Sequence, residues 1–178
     1  YPFELRQQET LLHYTTLIEA TTAVKDDIIF RYNLGMSKTD NFIAFDNKVD
    51  PYLAHLKDYT WGSNGIKCRQ GLMFFDVISY DLDPVKELNS TLAAEGYIHY
   101  IHGVNPKSKM YLSNMNTYGA DNSVSSFYHT WFHDGSPEWD EVGVSTYGPA
   151  PGFLVGGANP KFKVNACCSS TCGSPGNN

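Results

Sequence analysis

Six histidines, four cysteines and nineteen carboxylates are the side chains with which this chain could do chemistry, and their spacing narrows the choice. His129, His133 and Asp134 form an HxxxHD run, which on a helix would set two imidazoles on one face, as zinc requires. The intervening Thr130, Trp131 and Phe132 do not resemble a metal helix, and no Glu stands at the general-base position, so no metal ligands are assigned. His99 and His102 fall at the expected end of a helix, where imidazolium suits the dipole without any metal. Gly156 and Gly157 imitate a phosphate loop, but neither Lys-Ser nor Lys-Thr follows. Nucleophiles fare no better: there is no G-x-S-x-G, and Cys68 lies in a stretch expected to be a buried helix. Carboxylates are available at Asp76, Asp81, Asp83, Asp121, Asp134, Glu138, Asp140 and Glu141. Glycoside hydrolysis needs two of them facing across a cleft, one with a raised pKa. Spacing alone selects no pair.

The elements that would position such groups divide the chain in two. From Phe3 to about Tyr32 the apolar residues Leu5, Leu12, Ile18, Val24, Ile28 and Ile29 recur at helical spacing, which predicts one long helix or two broken near Thr21. Residues 33–60 read as a loop-rich connection with a short helix after Pro51. WGSNG at 61–65 is turn chemistry, with Ser63 or Asn64 placed to cap the helix that follows. That helix, IKCRQGLMFFDVISYDL, is apolar nearly all round and is expected to be buried. Asp83 and Pro84 open the next as N-cap and first-turn proline, and Gly103 closes it. Residues 1–103 are thus the helical part. Residues 104–178 are rich in Gly, Pro, Asn and Ser yet carry Tyr111, Tyr118, Tyr128, Trp131 and Trp139, the signature of ordered loops that build a site on a helical frame.

Composition excludes several classes of partner. The 178 residues fit one domain or a piece of one. Thirteen Lys and Arg against 19 Asp and Glu leave a net charge of −6, which argues against a nucleic acid held on a basic face. No apolar run is long enough to span a membrane. YPFELRQQET lacks the basic start and apolar stretch of a signal peptide, so any such peptide is expected upstream or removed. Cys167, Cys168 and Cys172 crowd the last dozen residues, apart from Cys68; disulfides formed in an oxidising, secreted or extracellular setting are expected, with one thiol pairing beyond Asn178. Aromatic residues make up 14%, enough to supply platforms on which flat ligands stack.

Four stretches then carry a family resemblance in order: WGSN at 61–64, HYIHGVNPKSKMYLSNM at 99–115, FYHTWFHDGS at 127–136 and GPAPGFLVGGANP at 148–160. Together they resemble the C-terminal portion of glycoside hydrolase family 9 catalytic domains, where a helix stops at a Gly-x-Asn-Pro turn, a His-rich substrate loop follows, and a Leu-Val-Gly-Gly-x-Asn turn comes after it. The resemblance implies an all-α fold, part of an (α/α)6 toroid with long ordered loops lining a groove. It implies inverting hydrolysis of β-1,4-glucans, with an Asp general base and a Glu general acid. In the family the base motif lies upstream of the matched stretches and the acid downstream of the GGxN turn. Neither catalytic carboxylate is therefore expected within residues 1–178, and the chain is expected to be an incomplete part of its catalytic domain, inactive alone and needing the remainder as a partner.

Pyranose rings stack on Trp and Tyr, and their hydroxyls pair with amide and imidazole groups. The substrate-binding residues expected on that basis are Trp61, Tyr111, Asn114, Tyr128, His129 and Trp131. Trp139 is expected to be structural. The family's consecutive His followed by Arg is replaced here by Tyr128, His129, Thr130, Trp131 and Phe132, which removes the charged clamp and points to a subgroup with other sugar preferences. No cofactor is expected, although NMNTYGADN at 114–122 has oxygen ligands enough to hold a structural calcium. The alternative reading is a non-catalytic carbohydrate-binding or assembly protein that retains the fold.

Overall fold

The computed structural model describes residues 5–60, 62–126 and 137–158. They fall into two compact units, one formed by Tyr1–Lys57 with Ile66–Ile98, the other by Asp58–Gly65 with His99–Asn178. The long elements are all α-helical: α1 (Leu5–Thr15), α2 (Thr22–Met36), α3 (Phe42–Asp46), α4 (Ser63–Ser79) and α5 (Glu87–Ile101). One two-stranded sheet, β1 (Met110–Ser113) beside β2 (Ser123–Val124), is parallel.

In the first unit the N-terminal stretch forms two helices, the second of the two arrangements its spacing allows. Thr15 and Thr16 turn their hydroxyls back onto the carbonyls of Leu12 and His13, at 2.6 and 2.8 Å, and α1 stops there. Thr21 is extended, its N–H donating to the Tyr14 hydroxyl at 3.0 Å, and α2 starts one residue later. The short helix expected after Pro51 is not found; it lies earlier, at α3. The Asp50 carboxylate accepts the Tyr52 N–H at 2.9 Å and Leu53 adopts a left-handed φ of 56°, so the backbone after Pro51 turns rather than coils.

Phe74 of α4 organises the core of this unit. Its ring meets Phe42 edge-on at 5.1 Å and stacks on Tyr97 of α5 at 6.1 Å, with Met36, Ala54, Val77 and Ala93 buried in the same unit. The expectation that α4 is buried all round needs correction. Its inner face carries Lys67, Gln70 and Asp76 as well as Met73, Phe74 and Val77, while Cys68 and Phe75 are exposed. The buried polar groups are matched: Lys67 donates to the Ala54 carbonyl and lies 3.9 Å from Asp50, and Gln70 donates to the Asn41 side chain. Apolar residues alone could not have tied the 50–56 turn down, because its carbonyls need donors.

The start of α5 follows expectation. Asp83 accepts the Val85 N–H at 3.1 Å, Pro84 opens a single 3-10 turn, and α5 continues from Glu87. Its inward face is Ala93, Ala94 and Tyr97; Leu88, Leu92 and Ile98 are exposed. Gly103, at φ 111°, ends the helix, and the Val104 N–H returns to the His99 carbonyl at 2.9 Å.

Candidate functional site in the loop unit

The second unit is built from loops, and Asn105 of the G-x-N-P turn holds its entry. Asn105 is 4% exposed. Its amide donates to the Tyr100 and Lys109 carbonyls at 2.7 and 2.8 Å, and its Oδ1 accepts the N–H groups of Lys107 and Lys109 at 3.1 and 3.2 Å. All four bonding directions of one carboxamide are used. The helix end is thereby tied to the residue that precedes β1.

Ser113 and Ser123 fasten β1 to its neighbours. The Ser123 hydroxyl donates to the Leu112 carbonyl at 2.8 Å and accepts the Met115 N–H at 2.8 Å. Ser113 donates to the Ala150 carbonyl at 2.5 Å and accepts the Phe153 N–H at 3.2 Å. The 148–158 segment runs along β1, with the Val155 N–H on the Tyr111 carbonyl at 3.1 Å and a bridge between Leu112 and Leu154.

Two of the stretches that carry the resemblance meet here, although 91 or more residues separate their bonded partners. Asn64 donates its backbone N–H to the Gly156 carbonyl at 3.0 Å and its side-chain amide to the Val155 carbonyl at 3.1 Å. Ser63 donates to the Ala158 carbonyl at 2.6 Å. Gly157 lies against the Asn64 carboxamide at φ 89°, with no room for a Cβ. The WGSN turn and the GGAN turn therefore form one clasp, and the apparent phosphate loop is a packing device.

The expected sugar-binding residues are placed unequally. Trp61, Tyr128, His129 and Trp131 lie outside the described residues, as do His133, Asp134, Cys167, Cys168 and Cys172. Tyr111 is only 2% exposed, its ring stacked on Tyr100 at 6.0 Å; burial, then the Tyr100 phenol beside it, push its hydroxyl up to about 12. Both features make it a support beneath the loops in this structure. Asn114 is half-buried and left-handed, at φ 50°. Its Nδ2 donates to the Pro149 carbonyl at 2.8 Å, and among the described residues no donor reaches its Oδ1.

Residue 126 pairs with Glu141 in an antiparallel bridge, and the Val142 N–H donates to the Ser125 carbonyl at 2.9 Å, so the chain on either side of residues 127–136 is fastened together. Trp139 packs on Tyr147, ring centroids 4.5 Å apart. Around the 114–122 loop, Asn116 and Asn122 spend their amides on the Asp121 and Ser108 carbonyls, at 3.3 and 2.6 Å. Its one carboxylate, Asp121, is exposed, and among the described residues no three His, Cys, Asp or Glu side chains gather. A calcium ion wants six to eight oxygens including carboxylates, and this loop does not fit one.

The family model for glycosyl hydrolase family 9 matches residues 6–171, which takes in both turns of the clasp. The chain belongs to glycosyl hydrolase family 9. No curated protein and no solved structure gives a significant match. Family 9 members are glycosidases acting on β-glucans and fold as (α/α)6 barrels, which agrees with the all-α elements of this chain. A polysaccharide is accordingly the substrate class of this family 9 chain.

Asn105, Ser63, Asn64, Ser113 and Ser123 were not singled out as site-building residues from sequence. Ser63 and Asn64 carried a signal only as candidate helix caps in the Gly-flanked turn, and Asn105 only as the Asn of a Gly-x-Asn-Pro turn. Among the described residues, Asp121, Glu138, Asp140 and Glu141 of the loop unit are exposed or half-buried, and Asp76, in the helical unit, is the buried carboxyl.

Proposed function

We propose that this chain serves a secreted endo-acting hydrolase that cleaves β-1,4-glucosidic bonds in cellulose or a related β-glucan with inversion. The family match across residues 6–171 carries the reading. In it, an Asp general base and a Glu general acid come from chain outside residues 1–178, and these residues alone do not hydrolyse substrate. The loop unit supplies binding: the Asn114 Oδ1 accepts a sugar hydroxyl, Trp61, Tyr128 and Trp131 offer ring faces to pyranose C–H surfaces, and His129 bonds a hydroxyl near the cleavage point. Tyr111 supports this face from beneath, as its burial favours. The lack of an Arg after His129 favours short or modified β-glucans over a long crystalline chain.

Titration of the full-length protein with a soluble β-1,4-glucan oligosaccharide tests this. Binding is expected, and Asn114→Ala should weaken it by about 3–10-fold, the worth of roughly one hydrogen bond. Absence of any binding would overturn the assignment. Binding without product release would favour the non-catalytic alternative.

A further inference from the structure

We propose that Asp76 is a neutral carboxylic acid in the folded chain under mildly acidic conditions and acts there as a pH-sensitive latch between α2 and α4. Three atoms carry the inference. The Tyr32 hydroxyl, reaching from α2, lies 3.0 Å from the Met73 carbonyl and 3.3 Å from Asp76 Oδ2, both on α4. A phenol has one proton to give, and the shorter contact takes it. An ionised Asp76 is therefore left with at most the weaker share of that one proton, whereas the neutral acid can give its own proton to the Tyr32 oxygen.

An ionised Asp76 would be poorly served. The residue is 3% exposed, and Tyr32 is its hydrogen-bond partner among the described residues. No described Lys, Arg or His pairs with it: Arg31, beside Tyr32 on α2, pairs with Asp27, and Lys67 on α4 lies with Asp50. Glu9 faces it from α1 with charge of the same sign, and Tyr80 lies beyond Tyr32. Burial, then Glu9, push the Asp76 carboxyl up to about 6, against the opposing effect of the Tyr32 bond. The Tyr32 phenol is itself driven upward by burial and by Asp76, so it keeps its proton.

The sign follows from linkage. A carboxyl whose folded pKa lies above its ordinary 3.8 stabilises the fold fully below about pH 4, and loses that contribution as pH rises through about 6. The latch is thus closed in mild acid and weakened near neutrality. Asp76→Asn replaces the acid O–H with an amide N–H donor that does not titrate.

Urea unfolding of the full chain from pH 4 to 8 reads this out. The wild-type unfolding constant should rise across that range by up to roughly a hundredfold more than that of Asp76→Asn. The carboxyl 13C resonance of Asp76 in the wild type should titrate with a midpoint near 6. An unchanged pH slope in the variant, or a midpoint near 4, overturns the proposal. If Asp76→Asn does not fold, the wild-type titration decides by itself.

Discussion

Replacing Gly157 with Ala should damage this protein more than any ordinary loop substitution, because two independent costs fall on one methyl group. The residue sits at φ 89°, where a Cβ costs about 1–2 kcal/mol. The added carbon would also occupy the space of the Asn64 carboxamide, which is 0% exposed and has nowhere to swing. Moving it sacrifices the bond to the Val155 carbonyl, worth about 1 kcal/mol, and overpacks the clasp by about 1–2 kcal/mol more. The sum is about 3–5 kcal/mol, measurable by urea unfolding as a lower midpoint with unchanged slope. The steric part should vanish when Asn64 is cut to Ala. A double-mutant cycle of Gly157→Ala with Asn64→Ala should therefore show about 1–3 kcal/mol of favourable coupling. Additivity within about 0.5 kcal/mol, or a single-mutant loss below about 1 kcal/mol, would refute the clasp.

Asn105→Ala removes four bonds between 2.7 and 3.2 Å and should cost about 3–4 kcal/mol in thermal or urea unfolding, with Asn105→Asp intermediate because it keeps the acceptor side. Lys67 gives a pH signature opposite to that of Asp76. Burial, only partly offset by Asp50, lowers its ammonium to about 8, so the unfolded chain holds a proton between about pH 8 and 10.5 that the folded chain has shed. Stability should rise by up to about 3 kcal/mol across that window, and Lys67→Met should abolish the rise in unfolding experiments at graded pH.

The sequence made the helices legible wherever capping chemistry and period agreed. Asp83-Pro84 and Gly103 mark the ends of the α5 region because those residues act locally, through a side-chain oxygen and a positive φ. The run of threonines between α1 and α2 likewise breaks the helix by its own hydroxyls. The polar interior of α4 was not legible. Lys67, Gln70 and Asp76 interrupt its apolar run without showing that Ala54, Asn41 and Tyr32 would come from other segments to satisfy them. Periodicity reports which positions are apolar, whereas the placement of a buried polar group depends on a partner far along the chain. The short helix after Pro51 was misplaced for a local reason, since the Asp50 carboxylate and the left-handed Leu53 redirect a backbone that proline alone would allow to coil.

At the site, the motifs were visible but not their meeting. WGSN and GGAN each look like turns, and only the fold shows that Ser63 and Asn64 bond to Val155, Gly156 and Ala158. Tyr111 illustrates the converse. Aromatic residues in an Asn-rich loop suggest stacking platforms, but a Tyr in a strand alternates inward, and this one sits against Tyr100.

The most direct test of the account is to give the full-length protein a soluble β-1,4-glucan oligosaccharide and follow the first product by proton NMR before its anomers equilibrate. The account predicts product release with the α-anomer appearing first, as inversion at a β-linkage requires. A β-anomer as first product, or no hydrolysis of any β-glucan by protein that is folded and full length, would contradict it.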